Sequence, residues 1–277
     1  MKTQNIVGQE TLVKEISRIF EIFKASESEV RPHSILTGSS GSGKTFLIKE
    51  IAKSLELAFI EINAAQLTKE GTSGNSLSKA LSPLLQLGPR QAICFVDEFD
   101  KLFISGNSND SSAHESTTGV QNEFLKVLES DTVSVFGDYG KYINVPAKNV
   151  LFIFAGAFNN EDNITLDRLR EIGVKTEFLG RVGLVYNTNP LTLENLLEIL
   201  ENSSLLANYL ALFQDIDKEK TVYELKQHIT DNFATNTLGA RMVNTLIHQY
   251  FIKGGNLGKQ EAKAISFQNT LSWKESD

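Results

Sequence analysis

Short apolar runs alternate with segments of helical periodicity from the start of the chain to about residue 188. The runs at 92–96 and 150–154 are apolar at every position, as in parallel strands covered on both faces. Between such runs, apolar residues recur every three or four positions, as in Leu12, Ile16 and Phe20, which predicts amphipathic helices. The pattern therefore predicts an α/β fold, a parallel sheet with helices on both faces. The strands are expected at 34–37, 57–62, 92–96, 150–154 and 182–186, with a hairpin at 133–145.

The pattern changes at Pro190. Beyond it, apolar residues keep a helical spacing and no strand is indicated. The helices are expected at 193–200, 205–213, 222–233 and 238–251. We therefore predict a large α/β domain over residues 1–188 and a smaller, mostly α-helical domain over residues 189–277.

One long stretch carries almost no apolar residues. Residues 105–118 are nearly all Gly, Ser, Asn, Asp, Glu, His and Thr. A segment of this composition has too little apolar surface to offset the conformational entropy that is lost when it becomes ordered. We expect a mobile loop over residues 105–118, followed by a helix at 120–128.

Composition narrows the class of protein. The chain has 277 residues, of which 41% are hydrophobic, as in an ordinary globular protein with a sizeable core. A net charge of −7 disfavours nucleic-acid binding, which needs a basic surface. The single cysteine, Cys94, lies in an apolar run; it excludes an internal disulfide and a cysteine zinc site, and we expect it to be buried. No apolar run reaches membrane-spanning length, so we expect a cytoplasmic protein without membrane contact.

A glycine-rich motif, GSSGSGKT at residues 38–45, follows the first short strand and opens a helix. Strand, glycine-rich loop and helix in this order form a phosphate-binding loop. Glycine lets the backbone turn so tightly that successive N–H groups point at a phosphate. Lys44 would reach the β- and γ-phosphates, and the Thr45 hydroxyl would bind Mg²⁺. The motif therefore predicts that the chain binds a nucleoside triphosphate.

Two acids, Asp97 and Glu98, follow the strand at 92–96. In a phosphate-loop fold we expect this strand beside the strand that precedes the loop, so that both acids lie near the phosphates. Asp97 would hold Mg²⁺, and Glu98 would orient and deprotonate the attacking water. The alternative is a pair of solvated acids after a strand. Asp100 and Lys101 are interpreted as residues on a helix surface.

The roles of two arginines stay open from spacing alone. Arg181 precedes the last predicted strand, and Arg241 lies near the start of a helix. A cation in the first turn of a helix opposes the helix dipole, so Arg241 is favourable there if an anion such as phosphate compensates its charge. Each arginine could equally be solvated.

Together these segments resemble the AAA+ ATPases and, within them, the ClpX and HslU group of Clp/Hsp100 unfoldases. The resemblance runs from Ile6 to about Phe251. The segments that carry it are IVGQE (6–10, similar to the adenine-contacting segment), GSSGSGKT (38–45, Walker A), FVDE (95–98, Walker B), GVQ (119–121), the strand ending in AGAF (152–158), EFLGR (177–181) and GAR (239–241).

The resemblance implies a P-loop NTPase sheet followed by a helical lid domain, with ATP or ADP and Mg²⁺ bound and ATP hydrolysed. It makes Arg181 the arginine finger that reaches the γ-phosphate held by the adjacent subunit, which implies a homo-oligomeric ring, usually a hexamer. It makes Arg241 the sensor that couples nucleotide state to the angle between the domains. The residues expected to be catalytic are Lys44, Glu98 and Arg181; those expected to hold Mg²⁺ are Thr45 and Asp97; those expected to contact the nucleotide are Ile6, Val7, Ser40, Gly41, Ser42, Gly43, Lys44, Thr45, Phe46 and Arg241.

The chain departs from that group where a substrate polypeptide would be gripped. The first pore loop, at 71–74, reads GTSG and lacks the group's aromatic-hydrophobic pair. In a second loop, Tyr139, Lys141 and Tyr142 could face a pore or be ordinary surface residues at a hairpin tip. The sequence near Ala155 offers no polar side chain to place the water, so we expect slower hydrolysis. We also expect neither a ClpX-type zinc domain nor the long peptidase-docking insertion.

Two functions fit these features. The first is an ATP-hydrolysing ring that remodels or unfolds protein substrates. The alternative is a nucleotide-dependent assembly switch or adaptor, which binds a partner protein when loaded with ATP and translocates no polypeptide. The GTSG loop favours the alternative.

Overall fold

The computed structural model of the protein describes residues 6–69, 74–103, 111–137, 140–213 and 216–255, and for residues 111–117 the backbone alone. The chain divides into two compact units. The first unit is the chain up to Asn189 without Ser40–Ser42. The second unit is Ser40–Ser42 together with the chain from Pro190 onward.

The first unit is built on a sheet of five parallel strands, as predicted. Their order across the sheet is β2, β3, β6, β1, β7. These strands are β1 (Ser34–Thr37), β2 (Ala58–Asn63), β3 (Ala92–Asp97), β6 (Val150–Gly156) and β7 (Leu184–Asn187). The expected hairpin is a separate antiparallel pair of β4 (Thr132–Phe136) and β5 (Tyr142–Pro146).

One expectation about the sheet is wrong. β3, which ends at Asp97, does not pair with β1, because β6 lies between them and pairs with both. The acids still lie at the right edge, since the carboxyl ends of parallel strands share one edge of a sheet. Helix α2 (Lys44–Ser54) follows the phosphate loop and packs against β3. This packing brings the first residues of the helix close to Asp97.

Helices cover both faces of the sheet. Along β3, Ile93 and Phe95 join one apolar cluster while Cys94 and Val96 join the other, because alternate strand residues point to opposite faces. The first cluster is covered by α1 and α2, and the second by α5 and α7 among others. The helices of this unit are α1 (Glu10–Ala25), α2 (Lys44–Ser54), α3 (Leu77–Ala80), α4 (Leu84–Leu87), α5 (Ser111–Glu129), α6 (Leu166–Ile172) and α7 (Thr176–Arg181).

Cys94 is fully buried, as predicted, and burial raises the pKa of its thiol. His33, just before β1, is also buried, and its Nδ1 accepts a hydrogen bond from the Phe152 N–H at 3.0 Å. Burial, together with the nearby charge of Arg31, lowers the pKa of His33 to about 3. The neutral imidazole therefore serves the sheet by satisfying a backbone donor of β6.

The predicted loop at 105–118 is wrong from Ser111 onward, because α5 begins there. Residues 104–110 lie outside the described part of the chain. The later turns of α5 bury Val120, Phe124 and Val127 in the second cluster. Extending a helix that is already packed avoids the entropic cost of nucleation, because each further residue that becomes fixed adds one backbone hydrogen bond. Residues of modest helix propensity can therefore extend it.

The second unit is helical, as the periodicity indicates. Three of its helices begin at a side-chain cap, where Thr192, Ser203 and Asp217 each accept a hydrogen bond from a backbone N–H three residues on. Its helices are α8 (Leu193–Glu201), α9 (Ser204–Leu212), α10 (Lys218–Asn232) and α11 (Arg241–Ile252), and they enclose an apolar cluster of their own. Within the residues that the structure describes, no helix is both long enough and apolar enough to cross a membrane.

Candidate functional site

The phosphate loop connects β1 to α2, which begins at Lys44. Gly43 has a φ of +88°, and nothing lies within 4 Å of the position that a Cβ would occupy, so the backbone conformation alone favours glycine there. Lys44 Nζ donates hydrogen bonds to the backbone oxygens of Gly38 and Ser39 at 2.6 and 3.0 Å. The ammonium group thus lies at the start of the loop, beside the N-terminus of an 11-residue helix, where the dipole favours an anion.

Ser40–Ser42, the tip of the loop, belong to the second unit. Within that unit the Ala240 N–H donates to the Gly41 carbonyl at 3.0 Å, and Arg241 Nη1 donates to Ser40 Oγ at 3.2 Å. Gly41 has a φ of +76°, and a Cβ there would lie 2.1 Å from a backbone oxygen, so only glycine fits. Arg241 is the first residue of α11. The predicted sensor arginine therefore contacts Ser40 within the second unit.

Thr45 and Asp97 meet at the carboxyl edge of the sheet. Thr45 Oγ1 lies 3.5 Å from Asp97 Oδ2, at the long limit of a hydrogen bond. Asp97 Oδ1 accepts the Glu98 N–H at 2.8 Å, which orients the carboxylate. A hydroxyl and a carboxylate oxygen suit Mg²⁺, which takes few protein oxygens and fills its shell with phosphate and water. Among the described residues, no cluster of three or more His, Cys, Asp or Glu could hold a metal.

Glu98 has a left-handed backbone, with φ 54° and ψ 30°, and an exposed side chain. A residue other than glycine in this conformation costs about 1–3 kcal/mol and persists only where its surroundings hold it, which is common at functional sites. Here Asp97 accepts its N–H, and the next residue, Phe99, is fully buried. The carboxylate of Glu98 is therefore presented to solvent from a fixed backbone beside Asp97.

Asp100 is not on a helix surface, so that interpretation is wrong. It is 1% exposed in the 3₁₀ turn Phe99–Leu102, whereas Lys101 is exposed and its Nζ lies 3.6 Å from Asp100 Oδ2. The carboxylate packs against Gly156 at the end of β6, where a Cβ would lie 2.6 Å from Asp100 Oδ1. Periodicity could not reveal this, because the space for the carboxylate comes from a missing side chain on a strand far away in sequence.

Arg181 is the last residue of α7. Its Nε and Nη2 pair with Glu129 Oε1, at the end of α5, at 3.0 and 2.9 Å. The two side chains are 56% and 48% exposed, so the pair contributes only about 0.2–1 kcal/mol. Arg181 is thus accessible and weakly held, and its partner Glu129 is not part of the phosphate loop.

Sequence comparisons fit this geometry. Residues 34–176, just over half of the chain, match the ATPase family associated with various cellular activities (AAA). The chain belongs to the AAA family of ATPases. The matched range contains the phosphate loop together with Asp97 and Glu98.

The relatives of this AAA ATPase are of the Clp/Hsp100 type. The chain is 30% identical over 259 residues to the ATP-dependent Clp protease ATP-binding subunit ClpX of Bacteroides fragilis, covering 77% of this chain and 62% of that protein. It is 31% identical over 250 residues to ClpX 2 of Wolinella succinogenes (78% and 63%) and 28% identical over 299 residues to ClpX of Bacteroides thetaiotaomicron (88% and 72%). The chain therefore spans less than two thirds of the length of the Bacteroides fragilis and Wolinella succinogenes proteins.

Three apolar residues of this AAA ATPase were predicted to contact the nucleotide. Val7 is 7% exposed and Ile6 is partly buried against the cluster under α1 and α2. Phe46, in the first turn of α2, is 46% exposed. Ile6 and Phe46 thus retain apolar surface that a base could cover, whereas the Val7 side chain is mostly committed to the core.

The two predicted pore loops are only partly described. Gly71, Thr72, Ser73 and Tyr139 lie outside the described residues. Tyr142, at the start of β5, is 54% exposed, and its ring contacts that of Phe136 at a centroid distance of 5.6 Å.

We expect Gly156→Ala to destabilise the first unit by about 1–3 kcal/mol through overpacking. The added methyl group would lie 2.6 Å from Asp100 Oδ1 and 2.8 Å from Phe158 Cε2. Because Asp100 shares a turn with Phe99, the displacement should also lower the rate of ATP turnover. Urea unfolding measures the stability, and phosphate release measures the turnover.

Gly180→Ala is the matched control, because a Cβ at Gly180 meets nothing within 4 Å. Alanine in place of glycine inside a helix should stabilise by about 0.5–1 kcal/mol. A Gly156→Ala protein as stable as the control would contradict the close packing around Asp100.

Proposed function

We propose that this AAA ATPase hydrolyses ATP in a Mg²⁺-dependent reaction and acts as a homo-oligomeric ring, such as a hexamer, that remodels or unfolds protein substrates in the cytoplasm. In this proposal residues 1–188 are the nucleotide-binding domain and residues 189–277 are the lid. The observation that carries the hydrolysis is the approach of Thr45 and Asp97 to 3.5 Å beside the phosphate loop, with Glu98 next to Asp97. The likeness to ClpX proteins supports the ring and the protein substrate.

The reaction assigns one task to each residue. The backbone N–H groups of the loop and Lys44 bind the β- and γ-phosphates, after Lys44 gives up its bonds to Gly38 and Ser39. Thr45 and Asp97 would hold Mg²⁺, which would supply positive charge to offset that of the triphosphate. Glu98 takes a proton from a water molecule while the oxygen of that water attacks the γ-phosphorus. The bond between the γ-phosphorus and the oxygen that bridges it to the β-phosphate breaks at the same time. ADP and phosphate are the products.

Arg181 is proposed to complete the site of the adjacent subunit. Its half-exposed pair with Glu129 is weak, so a triphosphate, which carries more negative charge, could replace the carboxylate. A guanidinium that reaches the γ-phosphate stabilises the charge of the transition state. Arg241 is proposed as the sensor, and its contact with Ser40 supports this role.

We expect Glu98→Gln to bind ATP normally but to turn it over about 10²–10⁴-fold more slowly, because the general base is lost. Arg181→Ala should slow turnover about 10³–10⁵-fold. When the two inactive proteins are mixed, turnover should partly return, since some neighbouring subunits then combine an intact Glu98 with an intact Arg181. Phosphate release at constant total subunit concentration measures the recovery.

Glu61→Gln, an exposed acid on β2, is the matched control and should keep full turnover. Normal turnover in Glu98→Gln would remove the proposed general base. A mixture that stays inactive, although each variant still assembles, would remove the shared site.

The GTSG loop at 71–74 favours a second function. A loop without large side chains has little to grip a polypeptide, which suits a switch or adaptor that binds its partner protein only in the ATP state. Such a protein would hydrolyse ATP without unfolding anything.

If the ring translocates polypeptide, ATP turnover should unfold a tagged fluorescent protein, and Tyr142→Ala should slow the loss of fluorescence. Tyr223→Ala is the control, since Tyr223 is 66% exposed on α10 and belongs to the second unit. Persistent fluorescence during rapid ATP turnover would support the switch instead.

A further inference from the structure

Gln9 binds both backbone groups of a single residue, Asn189. Its side chain is almost wholly buried, at 2% exposure for the residue. Gln9 Nε2 donates to the Asn189 carbonyl at 2.8 Å, and the Asn189 N–H donates to Gln9 Oε1 at 2.9 Å. Asn189 Nδ2 also donates to the Gly8 carbonyl at 3.4 Å. The amino-terminal segment is therefore fixed to the last residue of the first unit.

The two residues before Asn189 are hydrogen-bonded to Thr37, the residue directly before the phosphate loop. The Thr188 N–H donates to the Thr37 carbonyl at 2.9 Å, and Thr37 Oγ1 donates to Asn187 Oδ1 at 2.6 Å. Thr37 is the last residue of β1, and the glycine-rich motif follows it directly. The junction segment Asn187–Asn189 is therefore hydrogen-bonded to the strand residue that directly precedes the loop and to Gln9.

A bound nucleotide would engage both of these segments. Its phosphates would lie in the loop, and its base would contact the segment at Ile6 and Val7. These segments are far apart in sequence, but a nucleotide can span only a limited distance, so it binds well only if they are held at a matching separation. The residues next to each segment, Thr37 on one side and Gly8 and Gln9 on the other, are hydrogen-bonded to the junction segment, so that segment helps to set the separation.

We propose that Gln9 is a positioning residue for nucleotide binding, which acts through Asn189 to hold the base-contacting segment at the distance from the phosphate loop that ATP spans. This inference rests on the ATP binding of the proposed function and on the base contact that the resemblance implies for the segment at Ile6 and Val7. An inorganic triphosphate occupies the loop alone, so its binding does not need Gln9.

Gln9→Met tests the inference, because methionine has a similar length and volume but cannot pair with Asn189. Because residue 9 no longer binds Asn189, the base-contacting segment is no longer held at the matching distance from the loop, and we expect ATP affinity to fall about tenfold or more. The affinity for inorganic tripolyphosphate should stay within about twofold of wild type, since the loop keeps its own contacts. Titration calorimetry with each ligand in Mg²⁺ gives both affinities.

Gln91→Met is the matched control. Gln91 Nε2 also makes two hydrogen bonds in the first unit, to the Phe23 carbonyl at 2.8 Å and to Ser28 Oγ at 3.0 Å. We expect this variant to lose stability and to keep the wild-type ratio of the two affinities.

An equal loss of affinity for ATP and tripolyphosphate in Gln9→Met, or no loss for either, would overturn the inference. If Gln9→Met does not fold, Gln9→Ala serves in its place, because alanine leaves room for water to pair with the Asn189 backbone groups but no longer joins them to residue 9; the same selective loss is expected. Wild-type protein that binds ATP no more tightly than tripolyphosphate would instead refute the base contact expected at Ile6 and Val7.

Discussion

All five parallel strands end at one edge of the sheet, and this shared edge is the constraint on which the site depends. β1 leads into the phosphate loop, and β3 ends in Asp97. The two strands are joined through β6, which pairs with both, so the backbone hydrogen bonds of the sheet fix the loop and the acid relative to each other. The 3.5 Å approach of Thr45 and Asp97 follows from that arrangement.

A cluster of buried aromatic residues connects the turn after Glu98 to β6 and α7. Phe99, directly after Glu98, contacts Phe154 of β6 and Phe178 of α7 at ring-centroid distances of 4.7 and 5.1 Å. Phe154 and Phe178 lie 4.9 Å apart, and all three are fully buried. Side chains packed this closely move together, since interiors have little free volume. The turn that presents Glu98 and the helix that ends at Arg181 are therefore packed into the same aromatic cluster.

The sequence is informative where a single local rule decides the structure. Fully apolar runs identified β3 and β6, and glycines before Lys44 identified the phosphate loop, because both signals consist of residues that are neighbours in the sequence. The position of β6 between β1 and β3, the burial of Asp100 and the start of α5 at Ser111 were not predicted. Each depends on packing between segments distant in the chain, which periodicity and composition do not encode. The role of Gln9 was not predicted either, because its hydrogen-bond partner is 180 residues away in the chain.

A double-mutant cycle on ATP affinity would show whether Thr45 and Asp97 serve one Mg²⁺ ion. Thr45→Val and Asp97→Asn each remove one oxygen ligand or its charge while nearly preserving side-chain volume. In Mg²⁺ we predict non-additive losses, with a coupling energy of about 0.5–3 kcal/mol, because removing either oxygen already weakens the same ion. In EDTA the coupling energy should be smaller, since only the direct contact between the two side chains then remains. Additive losses in Mg²⁺ would contradict a metal site shared by the loop and β3.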